Sequence, residues 1–434
     1  MTPPASTFPP FRVPALIKRN VTLFALSQSF TGAGMQLAYG FGPLMVIALT
    51  GSASLAGISV GVIGFSRFLV AYPVGKITDT YGRKPGILLG LVLALIGAVI
   101  IGASMGFHSF AALVTGLTIF GMGMNAAQQL RVAATDMFLP HHRAQALGYI
   151  AMGSLFGLAV SPLVVSFAET MAPRLGQDPL ALPWLMLPVL IVSGMVLIIF
   201  VRPDPKEIGM ALERYYPGYK APPALPEDHP TFRVGGMLGN ARLRLAIVAN
   251  AAAQGNMSIV MVLIALVLSH HGHSLTAIAV SQMFHSSGMF AFTIPLGRLC
   301  DRWGRDAVML PGVATALVGA GLVAFTDMYW SVTLGAFLVG LGWAGANVAA
   351  TAMIADHFAT EERGRAIGVN ESFAGGVSVV MALVTGPLIE WSGLPATGAA
   401  AVLVTLPPLL MMLAPARKSP RAVAAASTDR KAAE

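Results

Sequence analysis

The chain is poor in charge, in cysteine and in polar stretches of domain length. Charged residues are 11% of its 434 residues, against about a quarter in soluble domains, so water is not its main solvent. The single cysteine, Cys300, excludes an intrachain disulfide and a cysteine-rich metal cage. Residues 1–19 carry Pro3, Pro4, Pro9, Pro10 and Pro14 and no apolar core, so no cleavable signal peptide is expected and the first apolar block serves as the insertion signal. There is no phosphate-binding glycine loop, no zinc-binding helix motif and no clustered nucleophile, and these absences argue against an enzyme.

Apolar side chains are abundant instead. Hydrophobic residues make up 55% of the chain and the mean hydropathy is +0.72. They gather into blocks of roughly 20 residues, enough for a helix to cross about 30 Å of hydrocarbon. Twelve such blocks are expected, at 20–46, 54–74, 86–106, 109–131, 144–168, 183–201, 243–268, 275–296, 307–326, 330–352, 364–389 and 396–414. An all-α membrane protein follows, with six helices in 20–201 and six in 243–414. Residues 1–19 and 415–434 read as tails. Residues 202–242, with seven prolines and Tyr215-Tyr216-Pro217, read as a solvated central linker.

The net charge of +8 follows the membrane and does not indicate nucleic acid as a partner. With a cytoplasmic N-terminus, every Lys and Arg except Arg67 and Arg174 falls on the cytoplasmic side. This is the positive-inside bias, and it places both tails and the linker in the cytoplasm.

Two charged islands repeat. Gly75, Asp79, Gly82 and Arg83 return as Gly297, Asp301, Gly304 and Arg305, an offset of 297 − 75 = 222 residues. Asp136, Arg143 and Gly148 return as Asp356, Arg363 and Gly368, offset by 356 − 136 = 220. Such a repeat marks a duplicated unit. The loop from Gly75 to Lys84 resembles the signature of the major facilitator superfamily of secondary transporters, and the likeness covers all twelve blocks. It implies two six-helix bundles related by a pseudo-twofold axis, alternating access, and a monomer in lipid without a permanently bound cofactor. The setting it implies is a bacterial inner membrane. Asp79, Arg83, Asp301 and Arg305 would then control the conformational switch through contacts across the bundles. One departure is the segment Leu117–Gly121, which lacks the arginine that many proton-coupled members carry there. Gly153, Gly157, Ser161 and Pro162 offer small surfaces for packing at the bundle interface.

Polar side chains inside spans are costly and mark cavities. They are Arg67, Asn125, Gln128, Gln129, Gln254, Asn256, Gln282, His285, Asn347, Asn370 and Glu371. Arg67, Asn125, Gln128, Asn347 and Glu371 are candidates for the cavity or for coupling, and Arg67 and Glu371 either pair with each other or serve a solute or proton.

Met257 and Met261 lie one helical turn apart, as do His285 and Met289. Thioether and imidazole form a soft ligand set suited to Cu(I). This pattern resembles the CcoA-type copper importers of the superfamily, in which matching residues bind metal; the lone Cys300 departs from them, since they use cysteines as well. The resemblance implies Cu(I) as transported substrate. His270, His271 and His273, after the seventh block, would collect the ion on the periplasmic side. A related branch resembles riboflavin transporters with similar Met and His positions, and Phe284, Phe290 and Phe292 with the amides of the fourth block suit an isoalloxazine ring. Riboflavin or another small organic solute therefore stands as the alternative, with efflux of a drug or metabolite third and a non-transporting membrane sensor from a different class.

Overall fold

The computed structural model describes residues 13–139, 142–217, 219, 234–358 and 360–413, and among them every regular element is helical. Most of both tails, and residues 218 and 220–233 of the expected linker, lie outside the described residues. Each helix satisfies its own backbone N–H and C=O groups, as a lipid-buried segment must.

Ten stretches are continuous and apolar enough to cross a membrane. Two more spans emerge from breaks, and 10 + 1 + 1 gives the expected twelve. The stretch Arg365–Met411 turns at Gly393, whose φ of 77° interrupts the helix and makes it two spans. The other is divided at Phe292 into pieces of 17 and 11 residues, each short of a full crossing. The spans are α1 (Ala15–Thr50), α2 (Ala53–Tyr81), α3 (Arg83–Gly106), α4 (Phe110–Asp136), α5 (Arg143–Leu175) and α6 (Leu182–Ile199) in the first half. The second half holds α7 (Ala241–His270), α8 (Leu275–Ala291 continued by Thr293–Trp303), α9 (Asp306–Phe325), α10 (Tyr329–His357), α11 (residues 360–392) and α12 (residues 394–413).

Polar caps start several spans. Ser109 accepts from Ala112 N–H at α4, Asn240 from Arg242 and Leu243 N–H at α7, and Ser274 from Ala277 N–H at α8. Helix α7 is buried along 94% of its apolar stretch, whereas α6 is buried along 39% and keeps a lipid face.

The neighbour pattern repeats. Helices α3 with α4, α2 with α4 and α1 with α5 pack as α9 with α10, α8 with α10 and α7 with α11 do. The bundles meet along α2–α11, α5–α8 and α1–α7, pairings that also exchange under the twofold. At α2–α11 the backbones touch, since a Cβ on Gly57 would run into Ala382 O. Gly153 and Gly157 instead abut Ala25 and Ser29 carbonyls, so the α5 glycines pack α5 on α1 inside the first bundle rather than between bundles.

The first part of the linker departs from a solvated tether. Residues 205–216 fold into two short helices that bury Pro205, Ile208, Leu212 and Tyr216 against the first bundle. The apolar spacing of 208, 212 and 216, one side chain per turn, explains the docking. Tyr216 donates to Met137 O at 3.0 Å, and burial pushes its hydroxyl up to about 12.

Candidate functional site

The two island motifs close into one constellation in each half. Arg83 Nε donates to Asp136 Oδ2 at 2.7 Å and its Nη1 to Asp79 Oδ1 at 3.1 Å. Arg305 repeats this atom for atom, with Nε on Asp356 Oδ2 at 2.9 Å and Nη1 on Asp301 Oδ1 at 2.6 Å. Its hydrogen bonds to Asp356 and then Asp301 hold the Arg305 guanidinium above its ordinary range. The glycine before each arginine is required by conformation: φ is 106° at Gly82 and 93° at Gly304, values that strain any side chain. In this structure the ion pairs of Asp79, Arg83, Asp301 and Arg305 stay within their own bundles, not across them as expected. The first island gains a partner without a described counterpart. Asp204 accepts from the backbone N–H of Arg83 at 3.0 Å and of Lys84 at 2.9 Å, capping α3.

Mid-span, Glu371 of α11 is a hub. Its Oε1 accepts from Asn250 Nδ2 at 3.4 Å and from Asn347 Nδ2 at 3.3 Å, and Asn347 Nδ2 also reaches Asn250 Oδ1 at 3.0 Å. Across the bundle interface Arg67 Nη1 stands 3.8 Å from Glu371 Oε2, with side chains 56% and 32% exposed. In a hydrated cleft such a pair is worth about 1 kcal/mol, little enough for an entering solute to displace. One turn away on α7 and α10, Trp343 Nε1 donates to Gln254 Oε1 at 2.7 Å. Asn125 is committed locally, to Gly121 O at 2.8 Å and Ser66 Oγ at 3.3 Å. Gln128 sits at a break in α4, where Phe110–Ala127 gives way to Gln129–Asp136. Asn256 turns away from the interface to Ala401 O at 2.9 Å, and Asn370 is fully buried with neither amide atom hydrogen-bonded.

At the ends opposite the islands, carboxylates tie the bundles together. Glu169 of α5 accepts from the N–H groups of Leu275 and Thr276 at 3.0 and 3.1 Å and from the Thr276 hydroxyl at 2.6 Å. Those N–H groups belong to the first turn of α8, where they lack helical acceptors and where the helix dipole favours an anion. Ser52 Oγ donates to Glu390 Oε2 at 3.3 Å at the α2–α11 contact.

The soft residues lie in the second bundle. Met257 and Met261 are buried in its core, His285 is fully buried, and Met289 is half-buried. His285 Nδ1 is taken by Ala336 O at 2.8 Å, whereas Nε2 is buried without a partner. Gln282 reaches Met261 O at 3.5 Å. The three histidines at the α7–α8 turn diverge. His271 bonds Val267 O at 2.8 Å and lies 3.6 Å from Asp327, His270 stacks edge-on against it, and His273 packs on Tyr329 at 5.3 Å. Among the described residues no group of three or more His, Cys, Asp or Glu is placed to hold a metal ion.

The family model described as Major Facilitator Superfamily matches residues 24–216 and 246–433, both repeated halves. The chain belongs to the Major Facilitator Superfamily. It is a multi-pass membrane transporter, not an enzyme. It is 29% identical over 350 residues to a Bacillus subtilis (strain 168) protein, "Uncharacterized MFS-type transporter YddS", covering 79% of this chain and 78% of the relative. It is 26% identical over 394 residues to "Riboflavin transporter RfnT" of Brucella anthropi, covering 87% of this chain and 90% of the relative. Among solved structures, that of the nucleoside transporter NupG aligns with a TM-score of 0.64 at 12% identity over 92% of this chain and all of the other, which speaks for the fold alone.

Several residues of this superfamily member were not singled out by sequence reasoning. Asn250 completes the Glu371 hub but sits among alanines in α7, where an asparagine reads as packing. Glu169 had a signal, being an acid at the end of an apolar helix with only Arg174 of opposite charge nearby in sequence. Trp343 and Arg131 had none, because their partners Gln254 and Phe290 lie on other helices.

Proposed function

We propose that this transporter carries a small aromatic organic solute of the flavin class by alternating access, binding it between the bundles at the Glu371 hub. One observation carries the reading. Mid-membrane, Glu371, Asn347 and Asn250 of the second bundle face Arg67 of the first across a weak 3.8 Å pair. That set offers donors and acceptors to a heteroaromatic edge, with the Trp343–Gln254 pair one turn away for stacking. The full-length likeness to a riboflavin transporter supports it.

In this reading the solute enters when the Glu169 and Glu390 ties open and leaves at the island end, with Asp79, Arg83, Asp301 and Arg305 setting the balance. The distribution of Lys and Arg supports cytoplasmic tails in a bacterial inner membrane, and one chain supplies both Arg67 and Glu371 of the facing pair, which supports a monomer. Uptake of labelled riboflavin by a riboflavin-requiring bacterium expressing the chain tests the substrate: growth and uptake that fall with Glu371→Gln are expected, and uptake no higher than in cells without the gene sinks the reading. For the switch, Asp79→Asn is expected to change which face of the cavity a soluble thiol reagent reaches, and equal labelling of both faces before and after argues against it.

Cu(I) is the second reading, favoured by the buried, unpartnered His285 Nε2 one turn from Met289 on α8, with Met257 and Met261 buried on α7. Labelled copper accumulation that depends on the gene and is lost in His285→Ala supports it. Unchanged copper with altered riboflavin uptake removes it.

A further inference from the structure

Arg131 lies between the bundles without a counter-charge among the described residues. It lies in the last turns of α4, after the break at Gln128, with its Cζ 5.7 Å from the centre of the Phe290 ring on α8. The contact therefore crosses the bundle interface. The side chain is half-buried, and the charge that acts on it is a like one, Arg67. Among the described residues it makes no ion pair, and none of its five N–H donors meets a protein acceptor.

Asp136 and Glu371 are taken. Asp136, on the same helix, is held by Arg83 at 2.7 Å. Glu371 faces Arg67 and accepts from Asn250 and Asn347. Arg67, Arg131 and Glu371 are thus two positive charges against one negative. An unpaired, half-buried guanidinium beside an aromatic ring is costly, and the cost falls when a ligand supplies the anion. Phe290 supplies a flat apolar surface next to the charge.

We infer that the transported solute carries a full negative charge beside an aromatic ring, and that Arg131 selects it. This rests on the cavity reading above and narrows it to anionic aromatic solutes, such as a phosphorylated or carboxylated ring compound, over neutral ones of equal size. Arg67 meets the resident Glu371, whereas Arg131 meets the incoming charge. Phe290 sets the distance between ring and anion.

Two pairs of probes on the purified full-length chain test it. Benzoate and benzamide are isosteric and differ in charge, so thermal protection by each reads the charge preference with no flavin involved. Riboflavin 5′-phosphate and riboflavin, followed by fluorescence quenching, read it within the flavin class. Benzoate is expected to protect at concentrations where benzamide does not. The phosphate is expected to bind about tenfold tighter than riboflavin, the scale of one charge-assisted hydrogen bond. Arg131→Gln is expected to bring both ratios to about one, and Arg131→Lys to keep part of them.

Equal protection by benzoate and benzamide in the unaltered protein overturns the inference, even if Arg131→Gln proves too unstable to measure. A charge preference that survives Arg131→Gln overturns it too. If benzoate is preferred through Arg131 while neither flavin binds, the inference stands and the flavin reading falls. If riboflavin binds as well as its phosphate, the flavin reading stands and the inference falls.

Discussion

Glu169 accepts both the backbone N–H and the hydroxyl of Thr276, at 3.1 and 2.6 Å, with its second oxygen on Leu275 N–H at 3.0 Å. One carboxylate of the first bundle thereby caps the eighth helix of the second. Opening that face requires all three hydrogen bonds to break together.

Replacing Glu169 by Gln removes the charge and turns one acceptor oxygen into a donor, a loss of about 1–2 kcal/mol at a half-buried site. The population open on that face is expected to rise about tenfold. A single cysteine placed at Gln36, buried mid-way along α1, in a Cys300→Ser background, is expected to react correspondingly faster with an impermeant maleimide added from that side. An unchanged rate contradicts the latch.

The paired islands give an asymmetric expectation in spite of their symmetry. Asp136 is 24% exposed and Asp356 is 58% exposed, while their arginines are similarly covered. Asp136→Asn is therefore expected to lower stability by about 1–2 kcal/mol and Asp356→Asn by less than about 1. Thermal unfolding in detergent checks the order, and equal losses would show that exposure does not govern these pairs.

The two glycines of the first island have different reasons to be there. At Gly82 the φ of 106° strains any L side chain, and a Cβ would come 2.7 Å from Asp204 Oδ2. At Gly75 a Cβ meets nothing within 4 Å. Gly82→Ala is expected to cost about 1–2 kcal/mol or more, and Gly75→Ala to be neutral or to stabilise by about 0.5–1 kcal/mol through helix propensity. Unfolding of the two variants side by side decides, and a larger loss at Gly75 contradicts the assignment.

Much of this was legible in the sequence for physical reasons. Hydrocarbon imposes span length, so the twelve blocks and the Gly75/Gly297 repeat read directly, and the cost of buried charge singled out Arg67 and Glu371, which the fold brings together. What stayed hidden depended on a partner from another helix. Asn250 looks like packing until Asn347 and Glu371 surround it, and Arg131 looks like a helix-end charge until Phe290 lies beneath it. The soft residues show the reverse: spacing paired Met257 with Met261 and His285 with Met289, but periodicity cannot say that His285 Nδ1 is already held by Ala336 O. The seven prolines of 202–242 masked an apolar repeat at Ile208, Leu212 and Tyr216 that docks the linker's first part.

Uptake of labelled riboflavin into liposomes holding only the purified chain tests the central reading most directly. Saturable uptake is expected, reduced at least about tenfold by Glu371→Gln, the scale of a lost charged hydrogen-bond hub, with the variant folded as judged by its melting temperature. Uptake equal to that of empty liposomes, or uptake untouched by Glu371→Gln, contradicts it.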